Sequence, residues 1–200
     1  MTAELNEEIL RQAGIGTFFR PSQLEPLGIP YHMLRQLEAD EAVERVGWGL
    51  YRLADAEPTE RYSIASVCAR VPNAIVCLLS ALQVHGIGTQ LPHQVWIAIP
   101  HKAKPPVLTN VGVRLLRFSG AAWTYGIQEM KFEGVPARIT SPDRTVVDCF
   151  RFERLVGREA ALEALRGALQ DRKVTTAALA RTLEVLPSRR LRTILEAGVL

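Results

Sequence analysis

The chain is 200 residues long with 48% hydrophobic and 22% charged residues, a balance that supports a packed core and argues against disorder. Its net charge of +3 is uneven: residues 1–56 carry five arginines against nine acids, net −4, while residues 57–200 carry nineteen basic residues against twelve acids, net +7. Cys68, Cys77 and Cys149 form no CxxC pair and are odd in number, which weighs against a disulfide framework or a zinc cage, and no apolar run approaches the roughly 18 residues of a membrane span.

The first ten residues carry acids where a secretory signal would carry basic residues, so a cytoplasmic location is expected. Leu5, Ile9, Leu10 and Ala13 have the spacing of an amphipathic helix, which Gly14 and Gly16 end. Thr17, Phe18 and Phe19 favour a short strand. Ser22 with Glu25 is a capping-box pattern for a second helix, kept short by Pro26 and stopped by Gly28. Pro30 opens a third helix, PYHMLRQLEADE, on which Met33, Leu34 and Leu37 fall on one side and Tyr31, His32, Arg35 and Gln36 on the other. VERVGWGLYRL then forms a hairpin with Trp48 at its tip.

Helix, strand, helix, tight turn, helix and hairpin make a winged helix-turn-helix, whose third helix enters the major groove while the hairpin lies along the neighbouring backbone or minor groove. The expected DNA-binding residues are Tyr31, His32, Arg35 and Gln36 on the helix, with Arg20, Arg45, Arg52 and Trp48 against phosphate and sugar. Glu38, Asp40, Glu41 and Glu44 oppose this, because they repel phosphates.

GIPYHMLRQLEADEAVERVGWGLYRL resembles the N-terminal domain of AbiEi-family antitoxins, in its Gly-Ile turn, its third helix and the following ERV..G.YRL run. VCLLSALQVHGIGTQLPHQVWIAIP from Val76, VRLLRFSGAAWTYGI from Val113 and GVPARITSPDRTVVDCFR from Gly134 resemble the same family, and together these segments span most of residues 15–175. The resemblance implies a type IV toxin-antitoxin system. Its antitoxin represses its own operon, binding double-stranded operator DNA expected to hold inverted repeats, and counters a nucleotidyltransferase-like toxin. Antitoxicity is attributed in this family to the C-terminal domain and need not involve a stable complex with the toxin.

Beyond a linker around ADAEPT, residues 60–71 form a helix with an apolar stripe of Ile64, Val67, Cys68 and Val71. AIVCLLSALQVHG is apolar almost all round and is expected to be a buried helix. VWIAIP and VRLLRF are strands about the loop HKAKPPVLTN, EMKFEGVPARIT is a hairpin turning at Glu133 and Gly134, and from Ser141 the chain is helical. The expected fold class is therefore α+β: a winged helix-turn-helix over residues 1–56, then an α+β antitoxin domain over 57–200 with a helical C-terminal end.

Ser80 and His85 invite a hydrolase reading, but five residues apart on one helix they diverge, and no GxSxG elbow is present. A serine bonding back to its helix and a histidine cation favoured by the helix dipole explain them better. His85, His93 and His101 span a helix end, a loop and a strand end without metal-ligand spacing, so neither metal nor cofactor is expected. In SPDRTVVDC, Ser141 is the expected helix N-cap and Arg144 pairs with Asp148 four residues on, a structural motif within the resemblance.

Lys102, Lys104, Arg151, Arg154 and Arg158 form a basic surface that supplies phosphate contacts the acidic N-terminal module lacks, or attracts RNA. The expectation is an autoregulatory antitoxin without catalysis. Two alternatives stand beside it: a metal-dependent nuclease using Glu129, Lys131 and Asp143, in which acid and lysine on one strand would hold metal and water, and a ligand-sensing winged-helix transcription factor.

Overall fold

The computed structural model describes residues 7–47, 49–56, 59–108 and 111–198. It is mixed α+β with a helical C-terminal end, and its chain divides into two compact units, Met1–Pro72 with Lys131–Ala137, and Asn73–Met130 with Arg138–Leu200. The expected boundary at Ala56 falls inside the first of these.

The first unit runs α1 (Glu7–Gln12), β1 (Phe18–Phe19), two 3-10 turns (Pro21–Gln23 and Glu25–Leu27), α2 (Tyr31–Ala39), β2 (Val43–Gly47), β3 (Leu50–Leu53) and α3 (Tyr62–Arg70). The three strands form an antiparallel sheet in the order β1-β3-β2, with Phe19 opposite Tyr51 and Val43 opposite Leu53. Where the capping-box pattern predicts a second helix, the chain makes two tight turns instead. Pro26 lacks an N–H and its ring opposes an α-helical carbonyl four residues back, and the turn around it closes i→i+3 bonds, as from Leu27 N–H to the Leu24 carbonyl at 3.0 Å. Gln23, rather than Glu25, reaches back to a backbone N–H, that of Arg20, at 2.8 Å.

Leu10, Phe19, Leu24, Leu34, Leu37, Val43, Tyr51 and Leu53 close the core of this unit. α3 belongs to it as well: the Tyr62 ring packs on Phe18 with centroids 5.1 Å apart. The unit also takes in the hairpin tip Lys131–Ala137. There Thr17 and Thr59 hydroxyls donate to the two carboxylate oxygens of Glu133 at 2.8 and 2.5 Å, and the backbone of Gly16 lies against Gly134.

A five-stranded sheet is formed by β4 (Ile75–Val76), β5 (Val95–Pro100), β6 (Val113–Phe118), β7 (Ile127–Phe132) and β8 (Val135–Thr140), in the order β6-β5-β4-β8-β7; β4, β5 and β6 lie wholly in the second unit, and β7 and β8 only outside Lys131–Ala137. β5 is parallel to β6 and β4 parallel to β8, while β4 and β5 are antiparallel. The run expected as one buried helix from Ala74 therefore starts as a strand. β4 is flanked on both sides by other strands, and a strand buried on both faces has the same unbroken apolar sequence as a buried helix.

The helices of the second unit are α4 (Leu78–His85), α5 (Ala121–Thr124), α6 (Pro142–Arg151), α7 (Glu153–Val156), α8 (Arg158–Gln170), α9 (Thr176–Val185) and α10 (Arg189–Ala197). α6 is the hub, with every residue from Arg144 to Phe150 buried. Ala161, Ala164, Leu165, Leu179 and Leu183 of α8 and α9 join its apolar side chains in one core. Among the described residues no helix is long and apolar enough to cross a membrane.

Candidate nucleic-acid interface

α2 buries Leu34 and Leu37 and exposes Tyr31, His32, Arg35 and Gln36. The split follows the period of the sequence, since the apolar pair three residues apart shares one face and the polar residues occupy the other. Tyr31 is 55% exposed, and the Arg35 guanidinium lies over its ring, 5.9 Å from the centroid. Behind them stands Tyr51 of β3. Its burial raises the phenol pKa, and the neighbouring Tyr31 hydroxyl raises it further, with Glu38 and Arg45 acting in opposite directions. Arg45, exposed on β2, thus stands near the same cluster. Trp48 lies outside the described residues.

The other two arginines expected at phosphates are engaged by the protein itself. Arg20 donates to the Ala69 carbonyl at 2.8 Å, tying β1 to α3. Arg52 donates to Glu44 at 3.2 Å and to the Ala56 carbonyl at 3.0 Å, and stacks over Tyr62. Arg20 meets a carbonyl 49 residues further along the chain, a partner that spacing does not reveal. Of the expected set, α2 brings four residues together with Arg45, whereas Arg20 and Arg52 brace the unit.

In the second unit Lys102 and Lys104 are exposed on the loop after β5, whose shape Arg117 sets by donating to the carbonyls of Pro100, His101 and Ala103. Arg154 and Arg158 are exposed as well. Arg151 differs, since its guanidinium donates to the buried Asp148 at 2.6 Å.

The Ser141–Asp148 motif is internal. Arg144 and Asp148 are both fully buried and paired at 2.6 Å, and Arg144 also donates to the carbonyls of Ala122 and Tyr125. A fully desolvated pair of this kind costs about 3–5 kcal/mol when one partner is removed, because the other is left charged in the core. Ser141 is the residue before α6, as expected, yet its hydroxyl donates to the Asp143 carboxylate at 2.8 Å instead of accepting from a helical N–H. Thr182 of α9 donates to the other oxygen of Asp143. Both oxygens that a nuclease would turn to a metal ion are therefore engaged by hydroxyls, while Glu129 and Lys131 are exposed on β7. Among the described residues no three His, Cys, Asp or Glu side chains are grouped to hold a metal ion.

Two further expectations change. Ser80 does not bond back to its helix: its Oγ accepts from the backbone N–H of Trp96 at 2.9 Å, joining α4 to β5. His85 is not poised as a cation. Its Nε2 donates to the Thr140 carbonyl at 2.7 Å, and burial pulls its pKa down, with the Lys173 ammonium adding to the effect. Lys173 has taken the expected role, donating to the carbonyls of His85 and Gly86 at the end of α4. Burial drives the thiols of Cys68 and Cys77 upward, Cys68 to about 12, and all three cysteines are buried and free.

In the first unit a cavity of about 370 Å³ is lined by Arg11, Thr17, Leu53 and Glu133 among others. Its polar side chains are already engaged, Thr17 with Glu133 inside the cavity and Arg11 with Asp55 outside its lining.

No family model and no curated protein matches the chain. A crystal structure of the RV2827C protein from Mycobacterium tuberculosis is similar to it, with a TM-score of 0.53 and 16% sequence identity, over 96% of this chain and 75% of that one. At that identity the likeness concerns the fold alone.

Proposed function

We propose that this chain is a winged helix-turn-helix protein that binds its own operator DNA as a repressor and serves as the antitoxin of a type IV toxin-antitoxin system. The observation that carries the DNA half is the exposed face of α2, where Tyr31, His32, Arg35 and Gln36 stand together beside Arg45 on a helix followed directly by a two-stranded hairpin. The element order and the β1-β3-β2 sheet support the winged-helix reading. The antitoxin half rests on the AbiEi resemblance across residues 15–175. Its target is a nucleotidyltransferase-like toxin, countered with or without direct contact.

The two halves are tested together and fail separately. The purified protein binds the DNA upstream of its own gene in preference to random DNA at two salt concentrations, and the double substitution Arg35→Ala with Gln36→Ala removes that preference while the thermal unfolding curve is unchanged. Equal affinity for both DNAs overturns the repressor reading. Co-expression with a nucleotidyltransferase-like toxin, where the gene beside this one encodes it, restores growth in both the parent and the doubly substituted protein; a culture that stays arrested overturns the antitoxin reading.

A further inference from the structure

The exposed residues of α2 are not equivalent. Arg35 lies over the Tyr31 ring, 5.9 Å from its centroid, so the ring supports the guanidinium. A guanidinium lying on an aromatic face keeps its N–H edge free and loses less side-chain entropy when that edge binds a planar partner. Glu38 is also exposed, one turn further along, and among the described residues no ion pair joins it to Arg35.

Two kinds of contact are open to Arg35, a phosphate or a base edge, and Glu38 separates them. A carboxylate beside a phosphate is repelled, so an arginine with a carboxylate as neighbour is poorly suited to the DNA backbone. A base edge accepts both: in the major groove guanine presents O6 and N7 as a pair of acceptors for an arginine fork, and cytosine presents an N4 amino group that donates to a carboxylate. Resting on the DNA-binding reading above, we propose that Arg35, positioned by Tyr31, reads a guanine in the major groove and that Glu38 accepts from a cytosine amino group beside it. A G·C pair is then an obligatory part of each operator half-site.

The test is selection by the full-length protein from a pool of random-sequence duplexes, followed by binding to the selected site carrying 7-deazaguanine, which removes the N7 acceptor. The expected motif contains a G·C pair at which the analogue lowers affinity about tenfold or more. Arg35→Ala relaxes preference at that pair alone, Tyr31→Ala weakens the same preference, and Tyr31→Phe retains it because the ring remains. Glu38→Ala loses discrimination at the cytosine. If Arg35→Ala instead weakens all duplexes alike and lowers the salt slope by about one, Arg35 is a phosphate contact and the inference falls while the DNA reading stands. If Glu38→Ala tightens binding to every sequence equally, its part in base reading falls. A pool that yields no enriched sequence overturns both.

Discussion

His85 shows how one side chain changes meaning when its surroundings are assembled. By sequence it sits at a helix C-terminus, where the dipole favours a cation. In the fold its ring is half-buried, donates to Thr140 and has Lys173 nearby, and its pKa falls below the ordinary 6.5. Between the lowered native pKa and 6.5 the unfolded chain binds more protons than the native state, so stability is full above 6.5 and is lost as pH drops toward the native value. Urea midpoints measured across that interval fall with pH in the parent protein and fall less steeply in His85→Gln; parallel profiles would mean that His85 titrates alike in both states. The Arg144–Asp148 pairing was legible from a spacing of four, but its complete burial was not, because the carbonyls of Ala122 and Tyr125 that make it tolerable arrive from a segment some twenty residues upstream.

At the scale of elements, periodicity worked where one face of an element is wet. α2 is amphipathic and was bounded to within a few residues, and the strands VWIAIP and VRLLRF emerged where their β-branched and aromatic runs predict. It failed at β4, where burial on both faces erases the period, and at the proline-broken turns before α2. The approach of the chain at Gly16 to the hairpin turn at Glu133 and Gly134 is also invisible to local pattern, although both glycines are plain in the sequence. A Cβ on Gly16 would lie 2.4 Å from the Glu133 carbonyl oxygen and 2.6 Å from the Gly134 Cα, neither of which can rotate away as a flexible side chain can. Gly16→Ala therefore forces backbone to move and destabilises by about 1–3 kcal/mol, read as a lower denaturant midpoint. A midpoint within experimental error of the parent would show that the turn yields at no cost.

For the whole molecule, the uneven charge bears on the proposed DNA binding. The first 56 residues carry net −4, and of the arginines expected at phosphates there, Arg20 and Arg52 are engaged inside the unit. On the DNA-binding proposal, Arg45 is the one arginine of that phosphate set left exposed in the first unit, and exposed cations of the second unit such as Arg154 and Arg158 are the further candidates for phosphate contacts. Replacing both with alanine lowers the slope of log affinity against log salt by about 1.8, near 0.9 for each phosphate that is no longer neutralised, while an unchanged slope places the DNA-backbone contacts elsewhere. Arg151 is unsuited to that experiment, because its removal strips a partner from buried Asp148 and acts through stability.

The sequence by itself determined the class, the amphipathic α2 with its exposed polar face, the strand runs and the charge imbalance, since each is written in composition or in a period that a wet and a dry face impose. The tertiary structure alone decided which arginines are free and which are braces, that Ser80 joins a helix to a strand, that His85 is held as a hydrogen-bond donor to a carbonyl, and that α3 and the tip of a distant hairpin belong with the N-terminal unit. These depend on backbone groups brought from far along the chain, and a backbone carbonyl or N–H is the same at every position, so no residue pattern marks in advance which one a side chain will meet.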